Sequence, residues 1–163
     1  MSNENIKDAL SMMPYGFYSI TSSHEDLNNA MVANWVTQVS FSPRLIAVAI
    51  QKTSYSHNLI VKGKAFAVNI FNKADVDLIK PFTKSRAKNP DKMDNAQFTP
   101  GPETGCPLLS GSAAYTECKV IAIHDDGGDH SIFVGEVVGA GVDKPGDAGE
   151  TLTLPDLGWS YAG

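Results

Sequence analysis

The segment AAYTECKVIAIHDDGGDHSIFVGEVVGAGV, residues 113–142, sets the architecture of this chain. Residues 113–124 and 131–142 are two apolar-rich stretches around Asp125-Asp126-Gly127-Gly128-Asp129. Glycine adopts positive φ freely and Asp tolerates it, so the cluster reads as the turn of a β-hairpin. Working outward, residues 65–71, 45–50 and 17–21 read as further strands, with short extended segments at 29–34 and 38–41. Ser42-Pro43-Arg44 breaks the chain before residue 45, and residues 22–28 read as a polar turn. Consecutive strands joined by turns, with no crossover helices alternating between them, predict an antiparallel closed sheet.

Three short helices complete the pattern. Ser2 or Asn3 caps the first, which carries Ile6, Ala9, Leu10 and Met13 on one face and stops at Pro14 and Gly16. The second runs from about Ser56 to Gly63. Asn72 caps the third, which Pro81 bends or ends. Residues 84–110 lack periodicity and read mostly as loop.

The 163 residues fit one domain spanning 1–163 with a substantial core. A composition of 42% hydrophobic and 19% charged residues is that of a folded, soluble protein. A net charge of −5 argues against nucleic acid, which needs a basic face. The longest clean apolar run, residues 45–50, is far short of a membrane span. The N-terminus lacks the basic and apolar regions of a signal peptide, and Cys106 and Cys118 show no framework spacing. These features predict a cytoplasmic protein with two reduced, mildly buried thiols.

Nucleotide and nucleophile motifs are absent. Residues 135–141, GEVVGAG, lack a third glycine at the required offset and end a strand without opening a helix. With no Walker loop, HExxH or GxSxG, any chemistry would fall to a cofactor. The stretch QKTSYSHN, residues 51–58, puts Thr53, Ser54 and Ser56 at the start of a helix beside Lys52. Free amides there favour an anion, so the hydroxyls either cradle a phosphate or simply cap the helix. A second feature bears on the choice. Lys80, Lys84, Arg86, Lys88 and Lys92 face only Asp91 in an otherwise acidic sequence. A long basic loop in a compact domain is more often functional than idle, and it fits a phosphorylated ligand.

Residues 29–60, NAMVANWVTQVSFSPRLIAVAIQKTSYSHNLI, resemble the flavin reductase-like family of FMN-binding split barrels. The likeness continues in order through FAVNIF (66–71), CPLLSGSAAYTECKV (106–120) and GDHSIFVGEVVGAG (128–141). It implies a mainly β fold, an antiparallel split β-barrel of Greek-key type with a few short helices. It also implies that Asn34, Trp35, Val36 and Thr37 lie along the isoalloxazine, with amides and the Thr37 hydroxyl at its polar edge. Fixed donors there stabilise the charge of reduced flavin. Trp35 could equally be a core or interface aromatic. The resemblance further assigns Thr53, Ser54 and Ser56 to the FMN phosphate, with charge from Lys52, Lys84 or Arg86. His57 stands beside that phosphate without a proton-transfer role.

His130 falls where the family places a histidine facing the nicotinamide or flavin pocket, and is the candidate catalytic residue. The neighbouring His124, Asp125, Asp126 and Asp129 have metal-ligand chemistry, but turn geometry explains the acids without a metal. The family also builds its flavin site between two subunits, implying a homodimer. The chain finishes soon after its last strand, where Trp159 and Tyr161 would close over the flavin or meet the partner. The implied activity is an FMN-dependent NAD(P)H:flavin or NAD(P)H:acceptor oxidoreductase. NADH or NADPH would be the donor, and a small molecule or partner oxygenase the acceptor. A flavin carrier with little turnover is the alternative.

Overall fold

The computed structural model describes residues 3–161. Helix α1 (Asn3–Ser11) precedes β1 (Tyr18–His24), β2 (Leu27–Ala33), β3 (Val36–Phe41) and β4 (Arg44–Gln51). Then come α2 (Tyr55–Gly63), β5 (Ala65–Ile70) and the four-residue α3 (Val76–Ile79), the last framed by two 3-10 turns. Strands β6 (Phe98–Pro100), β7 (Pro107–Leu109), β8 (Ala114–His124) and β9 (His130–Val142) complete the order. Seven strands form one sheet in the order β2-β1-β5-β8-β9-β4-β3, and every neighbouring pair is antiparallel.

This sheet is curled and has two ends. No ladder joins β2 to β3, so the expected closed sheet gives way to an open one. Yet the chain passes from one end to the other through only Asn34 and Trp35. Three Cα steps span at most about 11 Å, so the two edges must meet at that corner. The Trp35 carbonyl accepts from Ala49 N of β4 at 3.0 Å and pins the crossover. Inside the curl, Ile20, Val48, Ile50, Phe66 and Phe133 pack with Ile60 of α2, all fully buried. Side chains from six strands converge there, which only a strongly curved sheet allows. Gly135 makes room for this core: a Cβ would strike the Phe66 ring and Cys118. That requirement accounts for one glycine in the stretch that resembles a nucleotide loop.

Several expectations need correction. Residues 22–28 are not a loop; β1 runs to His24, β2 starts at Leu27, and only Glu25-Asp26 turn. Thr21 and Ser22 are both buried in β1; Thr21 Oγ1 donates to the Pro107 carbonyl at 2.6 Å, whereas Ser22 Oγ has no partner among the described residues. Asn72 makes no side-chain cap, and the third helix is a short run flanked by 3-10 turns. The 84–110 segment contains the β6–β7 ribbon. At the end of α2 the left-handed position falls on Lys64, with φ 56°, and Gly63 is instead required by the Ser23 carbonyl packed against it. The proposed cap Ser2 lies outside the described residues; α1 ends at Ser11, before Met13, and buries no side chain.

A second cluster, including Phe17, Phe71, Phe82, Leu152 and Leu154, holds the long loop and the C-terminal segment together. Glu117, fully buried on β8, staples the loop before β7. Its Oε2 accepts from Glu103 N (3.1 Å), Thr104 N (2.8 Å) and Thr104 Oγ1 (2.7 Å). Cys106 and Cys118 are free and wholly buried, more so than expected. Burial pushes both thiols up, Cys118 to about 11. No helix among the described residues is long and apolar enough to cross a membrane.

Candidate functional site

Between β2, one edge of the sheet, and β4, the strand next to the other edge, lies a cavity of about 700 Å³. One wall is β2, with Asn29, Met31 and Ala33, continued by the crossover residues Asn34 and Trp35. Ala49 and Gln51 of β4 lead to Thr53, Ser54 and Ser56 at the start of α2. The facing wall is the loop from Phe82 to Ala87 together with Lys92, and His130 and Tyr161 also reach the cavity.

The charge of this lining is one-sided. Among the described residues, Lys84, Arg86 and Lys92 line it and no Asp or Glu does, in a chain of net charge −5. Lys92 is only 3% exposed, and its Nζ donates to the Lys84 carbonyl at 3.1 Å. Burial first, and then the nearby Arg86, lower it from the ordinary 10.5 to about 8. The Arg86 guanidinium lies 4.6 Å above the Tyr55 ring and donates to the Asn28 carbonyl at 3.2 Å. Lys84 is exposed and Arg86 half-buried, but a buried ammonium beside a guanidinium is costly, and an anion between them offsets that cost.

The hydroxyls divide in their roles. Ser54 is the N-cap of α2, its side chain accepting from His57 N at 3.2 Å. Ser56, buried in the first turn of the helix, accepts from Asn29 Nδ2 at 2.8 Å, and Thr53 is exposed at the rim. Two buried polar atoms on the cavity residues, Asn29 Oδ1 and Asn34 Nδ2, have no partner among the described residues. An acceptor and a donor left open on one lining fit a ligand with both kinds of group, such as the amide edge of a flavin ring. The Trp35 ring meets His130 edge-on at 4.9 Å and Tyr161 at 5.3 Å. His130 Nδ1 is held 2.7 Å from Asp129 Oδ1, which in turn keeps the Asp129 carboxyl below its usual range. Trp159 packs edge-on against Phe17 at 5.8 Å, away from this lining.

Of the residues singled out in the sequence, Asn34, Trp35, Thr53, Ser54, Ser56, Lys84, Arg86 and His130 gather on this one cavity. Val36, Thr37, Lys52 and His57 do not line it. Val36 packs on the core, and Thr37 is exposed with its hydroxyl donating to the Gln38 carbonyl. Lys52 pairs with Asp125 of the hairpin tip, keeping that carboxyl low. The His57 ring packs against Phe133, with Nε2 2.9 Å from Ser131 Oγ; burial lowers its pKa. Asn29, Tyr55 and Lys92 complete the site and were not singled out as contacts. An Asn within a strand is an uncommon choice, and that was the available signal for Asn29. Among the described residues no cluster of His, Cys, Asp or Glu is arranged to hold a metal.

Known proteins share this arrangement of sequence and fold. The sequence model described as the flavin reductase like domain matches residues 10–157. The ferric-chelate reductase (NAD(P)H) of Archaeoglobus fulgidus is 34% identical over 151 residues, covering 91% of this chain and 86% of that protein. The NADH-dependent FAD reductase of Streptomyces globisporus is 34% identical over 111 residues, covering 68% of this chain and 60% of its own length. The structure of the NADH:FAD oxidoreductase of S. globisporus in complex with NAD and FAD fragments superposes with a TM-score of 0.75. There the identity is 28%, covering 86% of this chain and 82% of that one. The flavin reductase component of a bacterial two-component tryptophan halogenase gives 0.75 at 27% identity, covering 88% and 89%. The chain spans only 23% and 24% of two Nostoc proteins designated diflavin flavoproteins A 1 and A 3. A match over residues 10–157, on a chain whose one-sided cavity lies between β2 and β4, places this protein in the flavin reductase-like domain family.

Proposed function

We propose that this chain is an FMN-binding NAD(P)H:flavin or NAD(P)H:acceptor oxidoreductase. The observation that carries the reading is a cavity lined by Lys84, Arg86 and Lys92 with no Asp or Glu among the described residues of the lining, beside the hydroxyl-rich start of α2. The three cations neutralise a phosphate, and Thr53 and Ser56 add donors to it. Asn34 Nδ2 meets the polar edge of the ring, and Trp35 and Tyr161 bound it. His130, braced by Asp129, orients the nicotinamide face. When bound, FMN supplies hydride acceptance at N5 from NADH or NADPH and passes electrons to a small-molecule acceptor or a partner oxygenase. No side-chain acid or base is needed for that transfer; the chain contributes orientation and fixed dipoles.

The same reading takes residues 1–163 as one cytoplasmic domain, a split barrel acting as a homodimer. Exposed apolar groups support a second subunit: Phe41 at the end of β3 is 88% exposed, and Ile6 and Leu10 of α1 are 49% and 40% exposed. Titration with FMN and riboflavin, followed by anaerobic addition of NADH, tests the proposal. Tight FMN binding followed by bleaching of the flavin is expected. Binding without bleaching by either nicotinamide would leave a flavin carrier, and no binding would overturn the site.

A further inference from the structure

Asn29 stands in the middle of β2, opposite Ser22 of β1, and only 2% of it is exposed. Its Nδ2 donates to Ser56 Oγ at 2.8 Å, and Ser56 is 1% exposed. Both residues line the cavity. A hydroxyl has one hydrogen to give, and an amide nitrogen cannot accept it. With Nδ2 occupying a lone pair of Oγ, the Ser56 hydrogen must point elsewhere, and no protein acceptor takes it among the described residues. Asn29 meanwhile keeps its Oδ1 buried and unpartnered, an arrangement a purely structural strand residue would gain by avoiding.

We propose that Asn29 is a positioning residue for anion recognition: its amide fixes the Ser56 hydroxyl so that the hydroxyl donates into the cavity, to the phosphate of the bound flavin nucleotide. This rests on the reading that the cavity takes a phosphorylated flavin. The sequence separates the two residues by a full strand, the crossover and a hairpin. The curl of the sheet brings them together where Lys84, Arg86 and Lys92 concentrate positive charge.

The test is a double-mutant cycle read with two ligands, FMN and riboflavin, by fluorescence titration of the full chain. Ser56→Ala is expected to weaken FMN about tenfold or more and to leave riboflavin unchanged. Asn29→Ala is expected to weaken FMN several-fold, and the double variant no further than Ser56→Ala alone. Asn29→Asp keeps the shape but presents only acceptors when ionised. It is expected to draw the Ser56 hydrogen back and to abolish most of the preference for FMN. This variant also serves should Asn29→Ala fold poorly. Additive losses in the cycle, equal losses on both flavins, or an Asn29→Asp protein that retains its preference would each overturn the proposal. A preference for FMN that survives Ser56→Ala would also overturn it, while leaving the cavity reading intact. A wild-type protein without preference would remove both.

Discussion

Replacing Lys92 with Met separates the cost of building the site from its use. Lys92 is buried with its Nζ on a carbonyl and in no ion pair among the described residues, and its pKa falls from 10.5 to about 8. A fall from 10.5 to about 8 corresponds to ~3 kcal/mol in favour of the neutral amine. At pH 7 the ammonium is present in folded and unfolded chains alike, so folding carries that burial cost in full. Met keeps an unbranched chain in the same space without the charge. Lys92→Met is therefore expected to raise the stability of the ligand-free protein by about 2–3 kcal/mol at pH 7. For a chain of this length that is roughly 5–10 °C in Tm. The sign of the pH effect follows from the direction of the shift. Between about 8 and 10.5 the unfolded wild type binds more protons than the folded one, so wild-type stability gains from this group as pH rises. The margin of the variant should shrink from pH 7 to pH 10. Thermal unfolding of both proteins at the two pH values checks this. A variant less stable at pH 7, or a margin equal at both, would refute the reasoning. FMN affinity should fall in the same variant while riboflavin affinity holds.

Ser54→Ala removes the N-cap of α2 and should lower stability by about 1 kcal/mol in urea unfolding, with FMN and riboflavin affinities affected alike. Glu117→Ala leaves two backbone N–H groups and a hydroxyl unpaired beneath the loop before β7. It should lose about 3 kcal/mol or more by the same measurement, with FMN affinity retained if the protein folds. His130→Ala should slow flavin reduction by NAD(P)H in stopped-flow more than it weakens FMN binding. Unchanged reduction with collapsed affinity would make His130 a flavin-holding residue instead.

The hairpin of β8 and β9 was legible because Asp and Gly concentrate between two apolar stretches. The β1–β2 turn was not, because Ser22, Ser23 and Asn28 have turn-like side chains and yet lie in the paired strands. The side-chain partners that hold their neighbours, Ser56 for Asn29 and the Pro107 carbonyl for Thr21, are remote in sequence, and local propensity contains no trace of them. Much the same holds in the cavity. Hydroxyls and basic residues could be named from composition and resemblance, but burial could not. Lys92 reads as one more surface lysine in a basic run, and Lys52 as a phosphate contact, until the fold buries the first and pairs the second with Asp125. Whether a strand of polar residues faces water or a wall is decided by what packs over it, and that is a property of the whole chain.

The two-residue passage through Asn34 and Trp35 acts as a hinge pin between opposite ends of the sheet. Tethered by so short a link and clamped to Ala49, the β2 and β4 lips of the cavity have almost no freedom to spread. Gape is then left to the other jaw, the stretch from Phe82 to Lys92, whose backbone belongs to no ladder of the large sheet. A bulkier guest would be admitted by lengthening or re-angling that jaw. One extra residue inserted between Ala33 and Val36 would loosen the pin and shift the register of ring contacts, costing recognition of every guest at once.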